Sequence, residues 1–214
     1  MIKRTMLAGL VAAFAFAAMP ALASAVTLTP ATQQSFTLHG TDPTLGTTYE
    51  EEALGVKCTT VEGSGTITDK TGTAHLSFEG CKDEAFGFSC NTPGQASGTI
   101  TAHVSAHLET VEGNPAVLLK PEEENFAEFE CFILGVEVSG NGIIGTITSP
   151  GINEESTEAT VSFEAEGGTQ NHTKVDGDET TYGLQASVNG EPAEPAYEKA
   201  TGTMTFENEV ELME

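Results

Sequence analysis

Alternation of apolar and polar residues in five segments, turn-forming dipeptides between such segments, and the lack of any convincing helical period place this 214-residue chain in the all-β class. The expected architecture is an antiparallel β-sandwich or barrel built from hairpins, held by two disulfides and preceded by a cleaved signal helix. At roughly 150 residues per domain, this length predicts one folded unit.

The leader comes first. Lys3 and Arg4 precede the apolar run Met6 to Met19, and the small residues Ala21, Ala23 and Ala25 follow. A basic start, an apolar middle shorter than the ~20 residues of a membrane-spanning helix, and a small-x-small end mark a secretory signal peptide. Residues 1–25 are read as that peptide, Val26 as the first mature residue, and 26–214 as a single all-β domain. Pro150-Gly151 and the acidic stretch Asn153 to Glu158 divide a Cys-containing part, 26–150, from a Cys-free tail, 151–214. A tail of that size would be marginal alone, so it is expected to complete the sheets of the first part.

Successive strand side chains point to opposite faces, so a half-buried strand alternates with period two. Ile100, Ala102, Val104, Ala106 and Leu108 alternate with Thr101, His103, Ser105 and His107. The pattern recurs around Ala74–Phe78, Ala159–Ala165, Tyr182–Val188 and Met204–Phe206. Asn141-Gly142, Asp176-Gly177 and Asn189-Gly190 suit tight hairpins because such pairs tolerate positive φ, and Asp69-Lys70-Thr71-Gly72 suits a four-residue loop. The tetrapeptide Gly-Thr-Ile/Met-Thr begins at Gly65, Gly98, Gly145 and Gly202, at uneven spacing that excludes a solenoid. Between Phe126 and Val138 the apolar phase changes near Leu134 and Gly135, which predicts a bulge or a strand buried on both faces.

An even number of Cys in an exported chain predicts disulfides. Cys58 and Cys131 each sit in phase with the apolar residues of a strand, whereas Cys81 and Cys90 bracket an expected loop, Lys82 to Ser89. Pairing like with like favours Cys58–Cys131 and Cys81–Cys90, one of three possible connectivities. No C-x-x-C pair supports a zinc knuckle.

Without the leader, six basic residues face 32 acidic ones, a net charge of −26 with no Arg. Phosphate backbones and anionic headgroups are held by Lys and Arg, so nucleic acid and acidic membrane surfaces are poor partners. Asp176, Asp178 and Glu179 form a carboxylate cluster at a turn, where hard oxygens suit Ca²⁺; a calcium-dependent binding module is one alternative function. His103 and His107 share a face, but four strand residues separate their Cα atoms by about 13 Å, too far to chelate one ion. No nucleophile elbow, metalloprotease helix or phosphate loop occurs. A carboxylate-dependent hydrolase remains a second alternative, requiring two acids in one pocket.

Gly55-Val56-Lys57-Cys58-Thr59, Gly72 to Cys81, Ala127 to Cys131 and Gly142 to Thr148 resemble segments of a large group of exported bacterial β-rich proteins with four Cys in the same order. The opening Val26-Thr27-Leu28-Thr29-Pro30 is more faintly similar to exported activators of alkane oxidation. The resemblance implies export and β structure and carries no activity. The expected function is therefore a non-catalytic acidic protein of the cell envelope or extracellular space that acts through its surface in binding, adhesion or assembly, edge strands offering a route to a partner.

Overall fold

In a computed structural model that describes residues 26–49 and 52–213, the chain is strand over most of its length, and no helix occurs among the described residues. The predicted leader lies outside them, as does part of the acidic run 50–52. In chain order the strands are β1 (Thr27–Thr29), β2 (Gln34–Tyr49), β3 (Glu52–Lys57), β4 (Thr60–Thr68), β5 (Thr71–Glu79), β6 (Lys82–Asp83), β7 (Cys90–Asn91), β8 (Ile100–Val111) and β9 (Asn114–Pro121). They continue as β10 (Ala127–Cys131), β11 (Leu134–Gly140), β12 (Ile143–Ser149), β13 (Glu155–Phe163), β14 (Ala165–Glu166), β15 (Thr169–Gln170), β16 (Leu184–Val188) and β17 (Glu194–Met213).

Eight of them close on themselves. β2, β4, β5, β8, β9, β12, β13 and β17 are hydrogen-bonded in that order, and β17 returns to β2. Each pairing in the ring is antiparallel. Of the two expected architectures, the barrel is the one formed, and closure leaves the ring without a free edge. Two of its staves, β13 and β17, come from the Cys-free tail.

The remaining strands decorate the ring. A smaller sheet leaves the start of β17 in the order β16, β11, β10, β7. β3 and β6 extend from the second half of β2, and β1 lies along the end of β17.

Turn chemistry works at some of the expected places. The loop expected at Asp69 to Gly72 is shorter, a two-residue turn Asp69-Lys70 with Asp69 at φ 56°, since Thr71 and Gly72 already pair in β5, and Asn189-Gly190 turns between β16 and β17 with φ of 54° and 75°. The other two pairs make no hairpin. Asn141-Gly142 carries the chain from the small sheet into the barrel, and Asn141 is engaged in holding a distant loop: its amide donates to Thr181 O at 2.9 Å and accepts from Gly183 N–H at 3.0 Å. Asp176-Gly177 lies in the strand-free segment between β15 and β16. The phase change near Leu134 is neither a bulge nor a doubly buried strand. Cys131 pairs directly with Leu134 around a two-residue turn, Phe132-Ile133, so two strands meet there.

The disulfides also differ from the favoured pairing: they join Cys58 to Cys81 and Cys90 to Cys131. Cys58 follows β3 and Cys81 follows β5. The β4–β5 hairpin between them doubles the chain back, so that Thr59 N–H donates to Glu79 O at 2.8 Å and the two Cys become neighbours. Cys90 and Cys131 are cross-strand partners in the β7–β10 pair. Alternation showed which face each Cys occupies, but pairing depends on which strand ends meet.

Candidate functional site

Alternation along β17 sends the even-numbered residues from Ala196 to Phe206 into the barrel. They read Ala, Glu, Ala, Gly, Met and Phe, so a single acid, Glu198, stands among apolar and small residues. Small side chains also face inward elsewhere, at Ala74, Ala102 and Ala106, and the interior is consequently not filled. Two cavities remain, of about 70 Å³ and about 40 Å³, each several times the ~10–15 Å³ that one buried water needs. Leu38, Leu76, Leu119, Phe163 and Met204 line the larger. The smaller lies where the barrel meets the small sheet, among Leu45, Ala102, Phe126, Phe129, Val138 and Leu184.

Phe78 and Glu198 line both cavities. Glu198 is half-buried as a residue, and its carboxyl lies deep among protein atoms where it lines both cavities. Burial pushes its pKa up to about 7, because an apolar surrounding disfavours the charged form. Its backbone N–H donates to the side-chain oxygen of the buried Gln170 at 3.0 Å, which fixes this part of β17. Among the described residues no donor or cation partners the carboxyl, and no other ionisable side chain lines either cavity.

The acids singled out in the sequence have other partners. The Asp176 carboxylate accepts the backbone N–H groups of Glu112 and Gly113 at 3.0 and 2.9 Å, clamping the β8–β9 turn, and those bonds, Gly113 first, hold its pKa below the usual value. Asp178 accepts from Thr180 N–H at 2.8 Å and from the Tyr182 hydroxyl at 2.7 Å. The Thr180 N–H leads in bringing its pKa down to about 2. Burial, with the Asp178 contact second, raises the phenol of Tyr182. Glu179 is exposed. Among the described residues no group of three or more His, Cys, Asp or Glu is placed to hold a metal ion.

His103 and His107 do not come together; the cross-strand partner of His103 is His75, with ring centroids 4.3 Å apart. His39 Nδ1 lies 2.9 Å from Glu62 Oε1 on the exposed outer face.

A second region stands at one end of the small sheet. Phe86, Phe132 and Ile133 are 79%, 69% and 75% exposed, and Phe88 is 44% exposed. Phe88 stacks on Phe132 at 4.7 Å, and Phe86 lies 6.0 Å from Phe88. Buried Asp83 shapes the first arm by accepting the N–H groups of both Phe86 and Phe88 at 2.6 Å. The Cys90–Cys131 bridge ties that arm to the Phe132 turn. A contiguous exposed apolar patch of this kind marks a contact surface.

Sequence reasoning missed both regions. Extending the Met204–Phe206 phase backwards through Gly202 and Ala200 would have flagged Glu198 as an acid on the inward face. The aromatic tip is not legible from periodicity, because Phe132 and Ile133 continue the apolar run of the strands on either side. Comparisons with protein-family models, curated proteins and solved structures find no match to this chain.

Proposed function

We propose that this chain is an exported, non-catalytic binding protein whose barrel lumen holds a small, largely apolar molecule. One observation carries the reading: two apolar cavities, one in the lumen of a closed eight-stranded barrel and one where that barrel meets the small sheet, share the unpartnered carboxyl of Glu198. A barrel of this strand number has an interior that side chains fill or that takes one small ligand, and ligand sites are typically apolar with few polar groups. Glycoside hydrolysis needs two carboxylates and the lumen contributes one, which favours binding over that chemistry. Two disulfides are consistent with an oxidising, extracytoplasmic setting, and no helix among the described residues is long and apolar enough to cross a membrane. Release from the cell or retention in its envelope belongs to the proposal.

Uptake of xenon, an apolar probe small enough for cavities of about 70 and 40 Å³, tests this by xenon NMR. The wild-type protein should shift and broaden the xenon resonance, and the cavity-filling substitutions Ala200→Leu and Ala106→Leu should abolish the response while circular dichroism stays β-rich. An equal response from the filled variants would place the xenon outside the barrel and defeat the reading.

The exposed aromatics favour a second, compatible reading in which the protein also acts through its surface. Phe86, Phe88, Phe132 and Ile133 offer an apolar tip to another macromolecule, as binding, adhesion or assembly would require.

A further inference from the structure

We infer that the ligand of the lumen is an apolar molecule carrying one basic amine, seated with its ammonium group against the Glu198 carboxylate. The inference rests on the lumen-binding reading and names the ligand class for it.

Apart from Glu198 itself and Thr44, the side chains lining the two cavities are apolar. A carboxyl left without donor or counter-ion in such surroundings carries an uncompensated desolvation penalty. An occupant lowers the free energy most if it brings the missing charge or donor along with hydrocarbon for the remaining walls.

Three amphiphile classes can be ranked on that basis. A carboxylic acid would set a second acid beside Glu198 with no Lys, Arg or His lining either cavity to hold it, and like charges disfavour each other. An alcohol supplies one hydrogen bond and no charge. An ammonium group supplies both, and a charge-assisted hydrogen bond is roughly twice as strong as a neutral one. The excess of acidic residues over the whole chain also makes the surrounding potential favourable to a cation and unfavourable to an anion.

The position of Glu198 adds a size limit. Because it lines both cavities, of about 70 and 40 Å³, an amine placed there has apolar space on either side, and that space limits the hydrocarbon to a single slender chain. Proton balance then sets the pH dependence. With Glu198 ionised, the ammonium ion binds with no net proton change. With Glu198 protonated, each binding event must release one proton to the solvent, so binding weakens as pH falls. No other titratable side chain faces the carboxyl from the walls of either cavity to offset this.

The test compares octylamine, octanol and octanoate by calorimetry at about pH 8, in about 0.3 M NaCl to screen the exposed acids. Wild-type protein, Glu198→Gln and Ala200→Leu are measured in parallel. The expected result is octylamine at least tenfold tighter than octanol and octanoate weakest of the three. In Glu198→Gln the amine advantage should vanish while octanol binding persists, and at about pH 5 the wild-type advantage should shrink about tenfold or more. Equal binding of amine and alcohol to the wild type, or an amine preference surviving in Glu198→Gln, overturns the amine assignment. If octanol still binds in that case and Ala200→Leu blocks it, lumen binding stands while the amine falls. Failure of all three probes to bind overturns both.

Discussion

Glu198 stands directly opposite Leu45 in the ladder between β17 and β2, and both side chains line the smaller cavity. Placing an acid in that apolar row makes folding pH-dependent with a definite sign. The carboxyl titrates near its ordinary 4.5 when unfolded and near about 7 when folded. Between those values the native state binds more protons than the unfolded chain, so this group lowers stability as pH rises through the window and leaves the loss constant above it. The full effect is about 3 kcal/mol at one pKa unit per 1.36 kcal/mol. Glu198→Gln should therefore match the wild type at about pH 4 and exceed it at about pH 8, by on the order of 5–10 °C in Tm. Parallel melting curves for the two proteins that keep a constant gap across this range would refute the buried titration.

The disulfides make a separate prediction. Peptide mapping without reduction should recover Cys58 linked to Cys81 and Cys90 linked to Cys131. Chain-entropy arguments give each bridge about 3–4 kcal/mol for the loops enclosed. Replacing Cys90 and Cys131 together by Ala should lower Tm by roughly 10 °C and free the aromatic arm from the Phe132 turn. Recovery of a Cys81–Cys90 peptide would contradict the strand order around β7.

What the sequence discloses here is local, and what it conceals is non-local. The alternation from Ile100 to Leu108 identifies β8 and its buried face outright, because each residue needs only its neighbours to be read. Barrel closure is of another kind: Phe206 must meet Phe36, from opposite ends of the described residues, and no periodicity within either strand encodes that pairing. The same limit misdirected the cysteines, whose partners follow from where hairpins end. It also explains Asp176-Gly177. Its turn-like composition was legible, but the use of its carboxylate by Glu112 and Gly113, more than sixty residues away, was not.

That use predicts how the acidic turn responds to calcium and acid. Both carboxylates already accept hydrogen bonds, so millimolar Ca²⁺ should leave Tm unchanged; a rise of several degrees would show that the ion displaces these bonds. Asp176→Ala strands two backbone donors and should cost about 1 kcal/mol, discounted for solvent screening. Because Asp178 ionises near about 2 in the folded protein against its ordinary 3.8, its contribution is present above pH 3.8 and disappears as pH falls towards 2. Melting curves of Asp178→Asn should converge on the wild type in that acid window, and curves that diverge there would exclude the assigned hydrogen bonds.

Phe132 adopts φ 59° at the first position of the two-residue turn between β10 and β11. A bulky residue in the left-handed region is strained by about 1–3 kcal/mol, and hairpins with positive φ at that position prefer Gly. Its 69% exposure means that the ring recovers little of this by burial. Phe132→Gly should therefore leave stability unchanged or raise it by about 1 kcal/mol, since relief of strain offsets the greater freedom Gly gives the unfolded chain. The same substitution removes the stacking partner of Phe88 and should weaken any association made through the tip, read as loss of retention on a hydrophobic-interaction column. A clear drop in Tm would instead assign Phe132 a structural role, and unchanged retention would remove the tip as a contact surface.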